Sequence, residues 1–237
     1  MREGEIILPN SKNEFTVESE PDNQTILLVA KTAAEETAKL YGTLFARMVS
    51  EYALKFEAEK LKEKPPENIQ GLEAVTNYII ANLGRYPRGY NSLIYGIAKA
   101  DIKFWGSTGA GARKAAYSAM KSILESSGLL KGMIGNTRDP FEAIYMVETI
   151  NKEIKTASKA RYIRGENNQV TTVVPNCIYM DACTAFLKEG ISRLIGGSEC
   201  IFLIVTTVGA EIITEKHLDY RLEEFNESEC RGRIFEF

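Results

Sequence analysis

From Thr32 to Lys64, apolar residues return at every fourth position: Leu40, Leu44, Met48, Tyr52 and Phe56, with Tyr41, Phe45 and Val49 widening the stripe. That spacing is the period of an amphipathic helix. The segment holds no proline and one glycine, Gly42, so the pattern predicts one long helix. At the helical rise per residue it would measure roughly 45–50 Å, more than a small domain needs across its core. Such a helix either lies along a large domain or pairs with a second copy, and the wide stripe suits both uses. The residues before it are polar and irregular, with a strand candidate at Glu5-Ile6-Ile7-Leu8-Pro9. Pro65-Pro66 after it is the natural internal boundary, dividing an N-terminal helical extension (1–65) from an α/β ligand-binding domain (66–237).

Helical patterning continues downstream. Leu72, Val75, Tyr78, Ile79 and Leu83 share a face over Ile69–Leu83, and Asn91–Ala100 is a further short helix. The loop Gly106–Lys114 opens a helix running to about Ser127. Pro140 starts another, at the helix position where proline is best tolerated, with Phe141, Ile144, Val147 and Ile150 or Ile154 facing one way. The period then changes from helical to extended. Ala160–Arg164 and Gln169–Val174 flank Gly165-Glu166-Asn167-Asn168 as a hairpin. A helix follows from Tyr179 to Leu194, and the continuous apolar run from Cys200 to Val208 reads as a strand buried on both faces. A closing hairpin pairs Asp219–Phe225 with Cys230–Phe237 across Asn226–Glu229. The fold class is therefore α/β in the α+β sense: an antiparallel sheet with packed helices, preceded by a long helical extension.

Composition narrows the function classes. A net charge of -3 over 237 residues gives no electrostatic reason to expect nucleic acid or an anionic membrane. No run approaches a membrane span, and the acidic start Met-Arg-Glu-Gly-Glu lacks the regions of a signal peptide, so a cytoplasmic protein without membrane insertion is expected. The loop Gly84–Tyr90 alternates arginine with tyrosine as a nucleic-acid clamp would, but it brings two arginines only. The glycine-rich Gly106–Gly111 stretch matches neither the phosphate-loop pattern, because Ala112-Arg113 follow Gly111, nor the dinucleotide fingerprint. Close helix packing through Ala112, Ala115, Ala116 and Ala119 accounts for it, with anion binding at the helix start as the alternative.

All four cysteines, and the single histidine, fall in the last third of the chain: Cys177, Cys183, Cys200, Cys230 and His217. Three uses stay open. The thiols are buried core residues, or they act in metal or redox chemistry, or one of them is a nucleophile. Five residues lie between Cys177 and Cys183, a wider spacing than in a usual zinc knuckle. A zinc held by Cys183, Cys200 and Cys230 would need the three to converge, with Glu211, His217 or Cys177 as the fourth ligand. A nucleophile would have to use His217 as its base.

The run of helices, a hairpin, Cys177 to Cys183 ahead of a helix, and the closing hairpin with Glu-Ser-Glu-Cys-Arg-Gly-Arg-Ile-Phe resemble the 4-vinyl reductase-like, or hydrocarbon-binding, domain family over about residues 84–237. The Gly-Ala-Gly-Ala-Arg-Lys helix resembles that family's opening helix. The resemblance implies a commonly dimeric module that encloses a small apolar ligand, with a zinc ion on C-terminal cysteines in some members. A neighbouring resemblance is to the amidohydrolase-like family that opens thiazoline rings. The expectation is a cytoplasmic protein that binds or senses a small apolar molecule, forms a homodimer, and uses Tyr162, Tyr179, Phe186 and Phe202 as ligand walls. The alternative is a cysteine-dependent hydrolase or reductase acting on a small heterocycle.

Overall fold

A computed structural model describes residues 13–105, 110–126, 132–190, 200–226 and 228–237. Within them the chain forms β1 (Glu14–Val17), α1 (Asn23–Tyr41), α2 (Thr43–Leu61), α3 (Leu72–Asn82), α4 (Tyr90–Trp105), α5 (Ala110–Ser126) and α6 (Pro140–Glu153). These are followed by β2 (Ala160–Arg164), β3 (Val170–Pro175), α7 (Met180–Lys188), α8 (Ile201–Thr214), β4 (Leu218–Phe225) and β5 (Glu229–Glu236). The strands form one antiparallel sheet in the order β1-β2-β3-β5-β4, and the fold is α+β. The strand candidate at residues 5–9, the loop 106–109 and the expected helical residues 191–194 lie outside the described residues.

The expected long helix is two helices. Gly42 takes φ 86° and ψ 180°, a conformation that a side chain disfavours, and the chain folds back there. Its N–H still closes α1 on the Ala38 carbonyl at 2.8 Å, and α2 begins at the next residue. The four-residue spacing persists across the break because both helices are amphipathic, so periodicity alone misses it. The buried face of α2 is Phe45, Val49, Ala53 and Phe56, whereas Leu40 and Leu44 beside the bend are 41% and 61% exposed. That face meets α4 at close range: a Cβ on Gly96 would fall 2.5 Å from the Val49 carbonyl oxygen and 3.1 Å from the Ala53 Cβ.

The second correction is α8. The run from Cys200 is a helix, not a strand, and it is buried on nearly every side through Phe202, Leu203, Ile204, Thr206, Val208, Ala210, Ile212 and Ile213. An apolar run buried all round has no polar face to reveal its period, which leaves strand and helix indistinguishable in sequence. Gly209 lets α8 approach α6, since a Cβ there would meet Val147 Cγ2 at 2.8 Å. Gly232 does the same for β5, where a side chain would collide with Leu203.

Both expected hairpins are present. In the first, Arg161 pairs with Val173 and Arg164 with Val170, and the turn places Asn167 and Asn168 at φ 52° and 59°, a region asparagine tolerates. The second runs from Leu218↔Glu236 to Phe225↔Cys230, with a bulge between Leu222 and Glu224. The unexpected strand β1 adds to β2 through Phe15↔Tyr162, whose rings stack at 4.8 Å.

Two large apolar cores result, with a smaller cluster of Ala34, Phe45, Val49, Ile97 and Ala100 where α1, α2 and α4 meet. One joins the sheet to α6 and α8 through residues such as Phe141, Ile144, Tyr162, Leu203 and Ile234. The other joins α1, α2, α3, α4 and α7 through Leu27, Phe56, Ile79, Leu93 and Phe186. Tyr179, just ahead of α7, packs against both.

Candidate functional site: a cavity at the junction of the two cores

The start of α6 is set by Asp139, whose Oδ1 accepts from the Phe141 N–H at 2.9 Å, with Pro140 in the first turn. From there Phe141, Ile144 and Val147 face inward, and Glu148, one turn beyond Ile144, shares that side. Glu148 is 2% exposed. Its Oε1 accepts from the Tyr162 hydroxyl at 2.8 Å and from the Thr206 hydroxyl at 3.4 Å. Its Oε2 has no hydrogen-bonding partner among the described residues, and neither has the Oγ of buried Ser158.

Glu148 and Ser158 both line a cavity of about 110 Å³ between the two cores. Ile26 and Ala30 of α1, Ile94 and Ile97 of α4, and Ala119 and Met120 of α5 form its apolar walls. Phe202 and Thr206 come from α8, and Ile178 and Tyr179 from the segment ahead of α7. Asn151, Thr156 and Ser158 join Glu148 where α6 ends and the chain turns toward β2, so the polar groups from this stretch gather at one part of an apolar wall.

Burial pushes the Glu148 carboxyl up to about 7, because a charge taken out of water is costly. The Tyr162 hydroxyl, the Asn151 side chain and the Thr206 hydroxyl pull it back part of the way. Asn151 acts on the carboxyl as a side-chain hydrogen-bond donor, while Oε2 keeps no partner within strict hydrogen-bond geometry among the described residues. Among the described residues, no lysine or arginine contributes to the shift. Burial also raises the Tyr162 and Tyr179 phenols, and the neighbouring Glu148 adds to both.

The segment Asn176–Ala182 is clamped from the helical side. Asn176 turns the chain at φ 49°, and the Ile178 carbonyl then accepts from the Tyr90 hydroxyl at 3.1 Å and from the Asn91 amide at 3.0 Å. The Asn91 oxygen accepts the Ala182 N–H at 3.3 Å, and Tyr86 donates to Asp181 at 2.8 Å. The tyrosines of the Gly84–Tyr90 loop thus turn inward to hold α7, and Arg85 pairs with Glu63 at 2.8 Å. This clamp positions Ile178 and Tyr179 at the cavity.

Of the residues expected to wall a ligand, Tyr179 and Phe202 line the cavity. Tyr162 stands behind it and reaches it through Glu148. Phe186 lies in the helical core, stacked on Tyr95 at 5.1 Å. Glu148, Asn151 and Ser158 were not anticipated. The signal for Glu148 was present in the sequence, since it is a carboxylate on the apolar face of the Pro140 helix, four residues after Ile144.

No family model matches the chain, and no curated protein sequence matches it significantly. Among solved structures it is similar, at a TM-score of 0.34 and 14% identity, to one described as "Modulating Heme Redox Potential Through Protein-Induced Porphyrin Distortion". That match spans 89% of this chain and 98% of the other. A likeness of that strength says nothing about fold or ligand.

The four cysteines are neighbours in the structure and all are buried. The Cys177 thiol is pushed well up, first by its hydrogen bond with Cys230, then by burial and by Cys183 and Cys200 nearby. A thiol held protonated is a poor nucleophile. Among the described residues, no group of three or more His, Cys, Asp or Glu side chains is arranged to hold a metal ion. The His217 side chain is 71% exposed, with Nδ1 3.1 Å from Glu211 and its ring edge against Phe237. Arg113, from the glycine-rich stretch, is paired with Glu211 at 2.7 Å and Asp219 at 3.2 Å and ties α5 to α8 and β4. No helix among the described residues is long and apolar enough to cross a membrane.

Proposed function

We propose that this protein binds a small, largely apolar molecule in the cavity between its helical core and its sheet core. The observation that carries the reading is Glu148, which lines a largely apolar space and whose buried Oε2 has no hydrogen-bonding partner among the described residues. Buried polar atoms are nearly always satisfied, so an exception on a residue that lines a cavity calls for an explanation such as a ligand or water. Pockets for small molecules combine apolar walls with a few converging polar groups. Glu148, Asn151 and Ser158 fill that second role here.

The cavity limits the occupant. An engineered apolar cavity of about 150 Å³ accepts benzene, so the smaller space here takes a body of at most about six non-hydrogen atoms. Thermal melts with small cyclic hydrocarbons and alcohols test this. Compounds of that size should raise the melting temperature, bicyclic ones should not, and Ala119→Leu, which puts three carbons into the space, should abolish the effect. If no small compound shifts the melt, the cavity is not a binding site.

A further inference from the structure

We infer that the ligand of this cavity is a small organic amine, whose ammonium group meets Glu148 while its hydrocarbon body occupies the apolar walls. This rests on the cavity being a binding site and goes further by naming the chemistry of its occupant.

The reasoning begins with what Glu148 lacks. Buried acidic groups are ordinarily paired with a cation or with several donors. Glu148 has two hydroxyl donors, both on Oε1, and the Asn151 side chain beside it, all of them neutral; among the described residues no lysine or arginine biases it. The groups facing it from each packed element are Tyr162 on β2, Thr206 on α8, Tyr179 ahead of α7, and Asn151 on its own helix. From α1, α4 and α5 the described residues that line the cavity are all apolar, among them Ile26, Ala30, Ile94, Ala119 and Met120. Cys177 and Cys200 adjoin Tyr179, and Cys177 adjoins Tyr162; these thiols bring no positive charge. Among the described residues, the cavity is thus lined by one ionisable acid, with an oxygen on that acid that has no hydrogen-bonding partner and no lysine or arginine in the lining.

The missing partner is a donor carrying positive charge. An ammonium group supplies N–H donors for Oε2, with others left for nearby acceptors such as the Asn151 side-chain oxygen or the Ser158 hydroxyl. A neutral alcohol would offer one donor and no charge. A carboxylate or phosphate would place like charge beside Glu148 and is disfavoured.

The proton inventory gives the chemistry a direct readout. Burial holds much of the Glu148 population protonated near neutral pH. When an ammonium ion binds, the Glu148 O–H loses its proton to solvent, and the resulting carboxylate pairs with the ligand nitrogen, which keeps its own charge. Binding at pH 6 therefore releases close to one proton per ligand.

Three probes of nearly equal shape separate the possibilities: cyclopentylamine, cyclopentanol and methylcyclopentane. Calorimetry at pH 6 in two buffers of different ionisation enthalpy should show cyclopentylamine binding at least tenfold more tightly than either neutral probe, with proton release. Glu148→Gln should erase that preference and the release while still admitting methylcyclopentane, which shows that the variant is folded. Glu57→Gln should retain both. If the neutral probes bind as well as the amine, or if the amine binds without proton release, the amine assignment fails and the cavity remains a binding site for neutral molecules. If none of the three binds, the binding reading falls with it.

Discussion

Glu57 on α2 and Glu148 on α6 are both buried, one inside the helical core and the other where that core meets the sheet core. Burial pushes both carboxyls up to about 7. Each accepts from a hydroxyl, Ser92 at 2.5 Å for Glu57 and Tyr162 at 2.8 Å for Glu148, and each has one oxygen without a hydrogen-bonding partner among the described residues. What differs is the space around them. Glu57 lies one turn beyond Ala53, in the α2–α4 contact where Gly96 brings the backbones together, and it does not line the cavity. Glu148 lines it. A displaced carboxyl pKa is therefore not by itself the mark of a site, since structural burial produces the same shift. The neighbouring room is what distinguishes the two.

The largest expected effect is shared by both carboxyls. Below about pH 4.5 each is protonated in the folded and the unfolded chain, so neither opposes folding. As pH rises from 4.5 to about 7, the unfolded chain ionises first and stability falls. The loss comes to about 3 kcal/mol per carboxyl, from about 1.4 kcal/mol per pH unit, and it levels off above pH 7. Urea denaturation across that window should show the decline, and Glu57→Gln and Glu148→Gln should each remove about half of it. A profile unchanged in both variants would mean that neither group titrates as its burial requires.

Packing separates the two neighbourhoods more sharply. Ala53→Leu forces side-chain atoms into the closed α2–α4 contact and should cost about 1–3 kcal/mol. Ala119→Leu enters the cavity instead and should cost less than about 1 kcal/mol while blocking small probes. Equal destabilisation in denaturation curves would show that the space beside Glu148 is no more accommodating than that beside Glu57.

The smallest effect is the loss of a single hydroxyl. Ser92→Ala and Tyr162→Phe should each cost about 1 kcal/mol. Each should also raise the pKa of the carboxyl it serves, because those hydrogen bonds favour the charged form. Carboxyl NMR titrations follow both shifts. Only Tyr162→Phe should alter probe affinity, and an equal change in Ser92→Ala would dissolve the distinction between the two carboxyls.

Much of the secondary structure was legible because it is set locally. The Pro140 helix has its cap and its first-turn proline in consecutive residues. The two hairpins carry their alternation and their turn residues, and Asn167 and Asn168 adopt the left-handed conformations a short turn needs. The candidate site was less legible. Tyr179 and Phe202 were visible as aromatics, but Phe186, equally apolar, packs away on Tyr95. Hydrophobicity reports that a side chain is buried and not which core takes it. The cysteines show the same limit from the other side, since their concentration late in the chain was plain and their meeting around Cys177 follows from the arrangement of β5, α7 and α8.

By itself, the sequence determined the α+β class, the antiparallel hairpins and most helix positions, since period and turn chemistry act over a few residues. Tertiary structure decided the rest. It bent the first long pattern at Gly42, where one backbone conformation outweighs a periodicity continuing on both sides. It made the run after Cys200 a helix, because burial on all sides erases the polar face that would show its period. It also created the cavity, which no segment encodes alone: α1, α4, α5, α6 and α8 leave it between them, and Glu148 matters because those five helices do not close over it.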